Sequence, residues 1–244
     1  MPRFFVTGEQ IKDGFITIVG DDAFHIARSL RMAVGDGITV SDGLGNDYSA
    51  ELTHIRDEEC ECKILSSSAA KTEMPVEVTL YMAYPKGDKL EVVVQKAVEL
   101  GACAVVPFES KRCIKKPKAE KADKQTERLF KIAKEAAKQC GRGRLPEVSA
   151  PVSFTEMVRA ASGADLALIC YEDEDALTLK QALENYGGAG RIAVIVGCEG
   201  GFAPEEVEEC KRAGILSVSL GKRILRCETA PLFALAAICY RFEL

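Results

Sequence analysis

Histidine is scarce in this chain: only His25 and His54 occur in 244 residues. Neither lies in a glycine-rich or arginine-rich stretch, so an imidazole base is not expected and both are assigned to structure. No CxxC pair occurs among the ten cysteines, at 60, 62, 103, 113, 140, 170, 198, 210, 227 and 239. That scatter excludes the tight spacing of a zinc site or a disulfide framework and fits reduced, mostly buried thiols. No apolar run is long enough to span a bilayer, and "MPRFFVTGEQ" has no basic region followed by an apolar stretch. No membrane span, no metal and no signal peptide are expected, and a cytoplasmic location follows as the default. Internal repeats and low-complexity tracts are also missing. Both nucleotide fingerprints, GxGxxG and GxxxxGK[ST], are absent.

What is present is concentrated near the C-terminus. Ile192 to Val196 is a near-continuous apolar run, the pattern of a parallel strand covered on both faces. It ends at Gly197, and Gly200 and Gly201 follow, marking positive φ or close approach by another molecule. Glu199 lies inside this loop, and Glu205 and Glu206 open a helix announced by Pro204. Carboxylates there suit a helix dipole but repel a pyrophosphate, so a neutral or cationic ligand is expected. A second strand from Ile215 leads to a Gly221 turn, to Arg223 and Arg226, and to Thr229 and Pro231 in a helix first turn. Two loops at the carboxyl ends of neighbouring strands could clasp one small ligand.

The net charge of −5 argues against a polyanionic partner, but its distribution does not. Lys111 to Arg144 holds thirteen Lys/Arg against four Asp/Glu, a local excess of nine that leaves −14 elsewhere. Such a block is the footprint of a polyanion site, and equally that of a solvated helix face.

Length allows two domains. Arg3 to Val6, Phe15 to Val19, Gly37 to Asp42, Tyr48 to Ile55 and Cys60 to Leu65 read as short strands of a small β-barrel. A helix capped by Asp21 or Asp22 and reaching Met32 lies among them, with Arg28 and Arg31 on one face. Ser66 to Pro75 is small, polar and ends in proline, the composition of a linker. Beyond it, strand Val76 to Tyr84, helix Lys86 to Leu100 and strand Ala104 to Phe108 form a βαβ unit, hence an α/β fold with a parallel sheet. A second amphipathic helix spans about Gln125 to Cys140, with Leu129, Ile132, Ala133, Ala136, Ala137 and Cys140 on its apolar face. Ala164 to Tyr171 is a buried strand, and Tyr171 and Glu172 at its end are expected to edge the ligand pocket. Ala230 to Tyr240 is apolar nearly all round, as in a helix buried centrally or against a second chain.

"VGCEGGF" followed by "LGKRILRCETA" resembles the paired cofactor loops of SPOUT-type, S-adenosylmethionine-dependent RNA methyltransferases. The likeness is to the RsmE family, which methylates uracil N3 in small-subunit (16S) ribosomal RNA. That family usually reads GPEGG and RILRTETA, so Cys198 and Cys227 are departures. "PKGDKLEVVVQKAVELGA", "ESKRC" and "EAAKQCGRGRLPEV" match it too, as does "HIARSLRMAVGDGITVSDGLGNDYSAEL" its PUA-like RNA-binding domain.

The resemblance implies a PUA-like β-barrel at 1–70 and a parallel-sheet SPOUT domain at 74–244 with a C-terminal trefoil knot, in a homodimer. It implies cofactor contacts at Tyr171, Val196, Gly197, Glu199, Gly200, Gly201, Leu220, Gly221, Ile224, Leu225, Arg226 and Thr229. Arg3, Arg28, Arg31, Lys86, Lys89, Lys96, Arg112 and Arg142 would meet ribosomal RNA or the assembled small subunit, with Glu135 and Gln139 near the site. Uracil N3 carries a proton, and its anion spreads over two carbonyl oxygens. A guanidinium can hydrogen-bond that developing charge. Arg226 is the candidate catalytic residue, with Arg3 as a possible second donor. Glu228 would orient Arg226 or receive the proton through water. Another RNA base, a ribose 2′-OH, a catalytically silent ribosome-assembly factor and a nucleotide-dependent oxidoreductase are the competing readings. The acidic loop and missing fingerprint disfavour the last, and the intact glycines and Arg226 the silent factor.

Overall fold

Alternation sets the first sheet. Ile16 and Ile18 of Phe15–Val19 are buried while Phe15 and Val19 face outward, the period-two pattern of a strand with one covered face. A computed structural model describes residues 1–114, 119–188 and 190–244. Lys115, Lys116 and Lys118 of the basic stretch lie outside the described residues. The chain divides into two units, Met1–Glu73 with Ala137–Leu145, and Met74–Ala136 with Pro146–Leu244.

The first unit contains β1 (Arg3–Phe5), β2 (Ile11–Lys12), β3 (Phe15–Val19), α1 (Asp21–Phe24), β4 (Gly37–Ser41), β5 (Asn46–Ile55) and β6 (Glu59–Ala69). The sheet order is β1-β4-β5-β6-β3-β2, with β1 parallel to β4 and the other pairs antiparallel. Phe4, Ile16, Ile18, Ile26, Ile38, Val40 and Leu52 form its core.

Three expectations are corrected here. The helix does not reach Met32: α1 widens into a π-helical turn at His25–Ser29, and Arg31 takes φ +51 beyond its end. Met32 N–H then bonds back to the Ile26 carbonyl at 3.1 Å and its side chain packs on the core, so Arg28 and Arg31 do not share a helix face. The linker is also shorter than its composition suggests. Ser66 to Ala69 continue β6 and pair with Asn46 to Ser49, because ladder hydrogen bonds make no demand on the side chain. Finally, Ala137–Leu145 joins the first unit, outside the expected 1–70 boundary. Ser41 Oγ donates to the Gly143 carbonyl at 2.7 Å, and Leu145 N–H bonds to the Gly43 carbonyl at 3.0 Å. No local pattern announces such long-range bonds.

The second unit contains β7 (Glu77–Ala83), α2 (Lys89–Glu99), β8 (Ala104–Phe108), α3 (Ala119–Cys140, through Ala136), β9 (Glu147–Val148), α4 (Phe154–Ala161), β10 (Leu166–Cys170), α5 (Leu179–Asn185), β11 (Arg191–Val196), α6 (Pro204–Arg212), β12 (Leu216–Val218) and α7 (Thr229–Phe242). The sheet is parallel throughout, in the order β12-β10-β11-β7-β8-β9. Strands β10 and β11 lie inside it, which is why their apolar runs show no alternation. Helix α2 buries Leu90, Val93, Val94, Ala97 and Val98 as its periodicity requires, each contributing roughly 1.5–3 kcal/mol for the larger side chains.

One further correction, to strand order, and one observation on α7 concern the C-terminal third. Strands β11 and β12 are not neighbours, because β10 inserts between them; spacing along the chain does not report sheet order. Helix α7 is not buried all round within this chain. Ala234, Leu235 and Ile238 are buried, but Phe233 is 45% and Tyr240 75% exposed. No helix among the described residues is long and apolar enough to cross a membrane.

Candidate active site

The carboxyl ends of β10, β11 and β12 surround a cavity of about 430 Å³. Open parallel sheets bind ligands at this edge, and the volume is within the range of small-molecule sites. Its floor is the β11 loop, whose path depends on glycine. Gly201 has φ +63, and a Cβ on Gly197 would press on the Gly201 backbone and the Phe202 ring at 3.2 Å. Its other wall is the run from Ser219 to Cys227.

Tyr171, Val196, Gly197, Glu199, Gly201, Leu220, Gly221, Ile224, Leu225 and Arg226 line the cavity, as does Glu172. Gly200 and Thr229 do not. Gly200 instead packs on Arg112, where a Cβ would fall 2.9 Å from the Arg112 Cβ, and its carbonyl accepts from Arg112 Nη1 at 2.9 Å. Thr229 opens α7, outside the lining. Lys89, Ser219 and Lys222 also line the cavity; likeness to the family assigns Lys89 to RNA and singles out neither of the other two. The KRILR run carried the signal for Lys222; nothing local marked Lys89 or Ser219.

The acidic groups are not equivalent. Glu206 is 2% exposed and accepts from Lys111 N–H at 2.8 Å and Ala203 N–H at 2.9 Å, so it caps α6. Glu205 pairs with Lys111 Nζ at 2.8 Å. Of the three carboxylates invoked against a phosphate ligand, only Glu199 borders the cavity. Burial would raise the Glu199 pKa, but its own N–H, Lys89 and Lys86 N–H outweigh that and hold it below the ordinary carboxylate range.

Glu228 does not orient Arg226. Its carboxylate faces Lys89 Nζ at 3.1 Å and accepts from Cys227 Sγ at 3.3 Å. Its own backbone N–H, then Cys227 and Lys89, lower its pKa against a burial penalty, which makes it a poor proton acceptor. Burial pushes the Cys227 thiol up to about 12, so it stays protonated and donates. The Arg226 side chain lines the cavity, is exposed, and makes no hydrogen bond or ion pair among the described residues. At Cys198, Sγ lies 3.9 Å from Ser110 Oγ, a contact a proline would lack.

The sequence model of the RNA methyltransferase domain matches residues 72–239, and that of the RNA methyltransferase PUA domain matches residues 18–65. Ribosomal RNA small subunit methyltransferase E of Bacillus subtilis is 34% identical over 100% of this chain and 98% of its own length. The Synechocystis protein of the same name is 35% identical over 97% of this chain and 76% of its own. The chain belongs to the ribosomal RNA small subunit methyltransferase E family. The solved Neisseria gonorrhoeae family member, bound to S-adenosyl methionine, superposes with a TM-score of 0.85 at 31% identity, covering 99% of this chain and 98% of that one.

The side chains assigned to RNA by likeness to this family differ in availability. Arg142 is corrected: it is 3% exposed and bonded to Glu73 at 2.6 Å, so it anchors the 137–145 segment instead of facing solvent. Arg3 is corrected likewise. Its guanidinium pairs with Asp47 at 2.5 and 2.9 Å and donates to the Arg142 carbonyl at 3.3 Å, so it is no free second donor. Arg28 pairs with Asp57 and Lys96 with Glu99, both at the surface. Arg31 and Lys86 are exposed, with no side-chain partner among the described residues. Glu135 and Gln139 are exposed on α3, and neither lines the cavity; Gln139 belongs to the first unit. The basic block is partly neutralised: Arg128 pairs with Glu91, Lys131 with Glu127 and Lys138 with Asp22.

Proposed function

We propose that this chain transfers the methyl group of S-adenosylmethionine to uracil N3 in small-subunit ribosomal RNA. The observation that carries the reading is the cavity itself: both signature loops border it, and the two guanidiniums that line it, Arg223 and Arg226, have no side-chain partner among the described residues. The residues present suit this cofactor. Glu172 and Glu199 offer carboxylates toward a sulfonium and an amino group, and Lys222 and Arg223 offer cations toward its carboxylate. When bound, the cofactor supplies a methyl already activated by positive sulfur.

The chain's part is alignment and charge. Backbone from Ser219 to Leu225 and the glycine loop orient donor and acceptor in line, which removes much of the entropic barrier. Arg226 hydrogen-bonds the carbonyl oxygens beside N3, stabilises the anion, and lets the N3 proton pass to solvent. Glu228 serves through Lys89, not as the base. The PUA-domain unit holds the RNA, with Arg31 as an available cation, and Lys86 offers another on the second unit. The C-terminal knot and the pairing of two chains belong to the same reading; the exposed Phe233 and Tyr240 on α7 support a covered face in a dimer.

The test is methylation of small subunits, or of their RNA, from a strain lacking this gene, with labelled cofactor. Methyl on N3 blocks the Watson–Crick face, so reverse transcription stops one nucleotide short. A labelled ribose or a stop at a base other than uracil would overturn the acceptor assignment.

A further inference from the structure

Lys89 is the first residue of α2, where a cation opposes the helix dipole. Its placement is explained by what it touches. Its ammonium lies 3.1 Å from Glu199 Oε1 in the β11 loop and 3.1 Å from Glu228 Oε2 at the start of α7. Cys227 Sγ lies 3.7 Å away. Glu199 is held a second time, by Lys86 N–H at 3.1 and 3.3 Å. Three segments distant in sequence thus meet at one nitrogen on the cavity wall. Without it, two carboxylates that share one ammonium would be left without that cation.

We infer that Lys89 is the positioning residue of the cofactor site: one ammonium clasps Glu199 of the glycine loop and Glu228 of the arginine-rich loop, fixing both around the cavity and setting its charge. It acts through its two partners. Arg226 lies two residues before Glu228 on the same loop, so the clasp also places the Arg226 guanidinium. The inference rests on reading the cavity as an S-adenosylmethionine site, and the experiment separates the two.

The full-length chain is compared with K89M, K89R and E199Q/E228Q. Amide hydrogen exchange without ligand reads the clasp directly. Calorimetry with S-adenosylmethionine and S-adenosylhomocysteine reads the charge. K89M should exchange faster at residues 197–201 and 222–228 and bind the sulfonium cofactor about ten-fold more weakly, since it loses two ion pairs and leaves like charges together. K89R should retain most of the affinity. Because K89M makes the cavity more negative, its preference for the cationic sulfonium over the neutral thioether should rise several-fold. An unchanged preference, or loops that exchange as in the unaltered chain, overturns the inference. If K89M does not fold, E199Q/E228Q must show the same loosened loops, and normal exchange there also overturns it. Failure of the unaltered chain to bind the cofactor sinks the functional reading alone, and the exchange result still decides the clasp.

Discussion

Gly201 and Glu172 occupy one space: a Cβ built on Gly201 would collide with Glu172 Oε1. The glycine is therefore required twice, by contact and by its φ of +63. Gly201→Ala should cost about 1–2 kcal/mol from the left-handed backbone alone. Glu172 is a flexible end that can move, so the fold should survive. The cavity should not: displacing Glu172 should weaken the cofactor by about ten-fold or more, equivalent to 1.4 kcal/mol. Thermal unfolding and calorimetry on the same sample would separate the two effects.

Arg226 carries the chemistry in the proposed reaction and little of the binding. Arg226→Ala should reduce methyl transfer roughly a hundred-fold or more while the cofactor dissociation constant stays within a few-fold. Retained turnover in a labelled-methyl assay would remove Arg226 from the mechanism.

Arg142 should behave as a stability residue. Its side chain is 4% exposed against Glu73, and Glu73 also accepts from Gly143 N–H at 3.0 Å and Arg144 N–H at 3.1 Å. Arg142→Met strands that carboxylate and should cost about 3 kcal/mol in urea unfolding. RNA affinity of the folded fraction should be unchanged. A selective loss of RNA binding at full stability would restore the phosphate-contact reading.

Acid should loosen the cofactor loops. Glu199 and Glu228 both titrate below their ordinary value of 4.5 in the folded chain. Groups with depressed folded values stabilise above the unfolded value and lose that contribution as pH falls through the folded one. Melting temperature followed from about pH 7 to about pH 3 should drop less steeply below 4.5 in E199Q/E228Q than in the unaltered chain. Parallel curves would show that these carboxylates do not contribute.

Much of the C-terminal unit is legible from local pattern. Strand β11 contains the whole apolar run from Ile192 to Val196 and begins one residue earlier, and α2 buries the five side chains its period selects. The glycine loop is legible because positive φ and close packing leave a compositional mark at Gly197 and Gly201. Lys89 could not be read this way: a lysine in a helix first turn looks like a solvated or RNA-facing cation until its partners 110 and 139 residues later are brought beside it. Arg3 and Arg142 misled for the same reason, since charge is visible in sequence and burial beside Asp47 or Glu73 is not.

By itself the sequence determined most of the strands, helices and glycine turns, because those choices are made largely by side-chain period, φ freedom and capping within a few residues. Tertiary structure alone decided that β10 lies between β11 and β12, that Ala137–Leu145 joins the first unit, and which charges are neutralised. Those outcomes depend on contacts between residues far apart in the chain, and no local pattern encodes which distant partner a buried charge will meet.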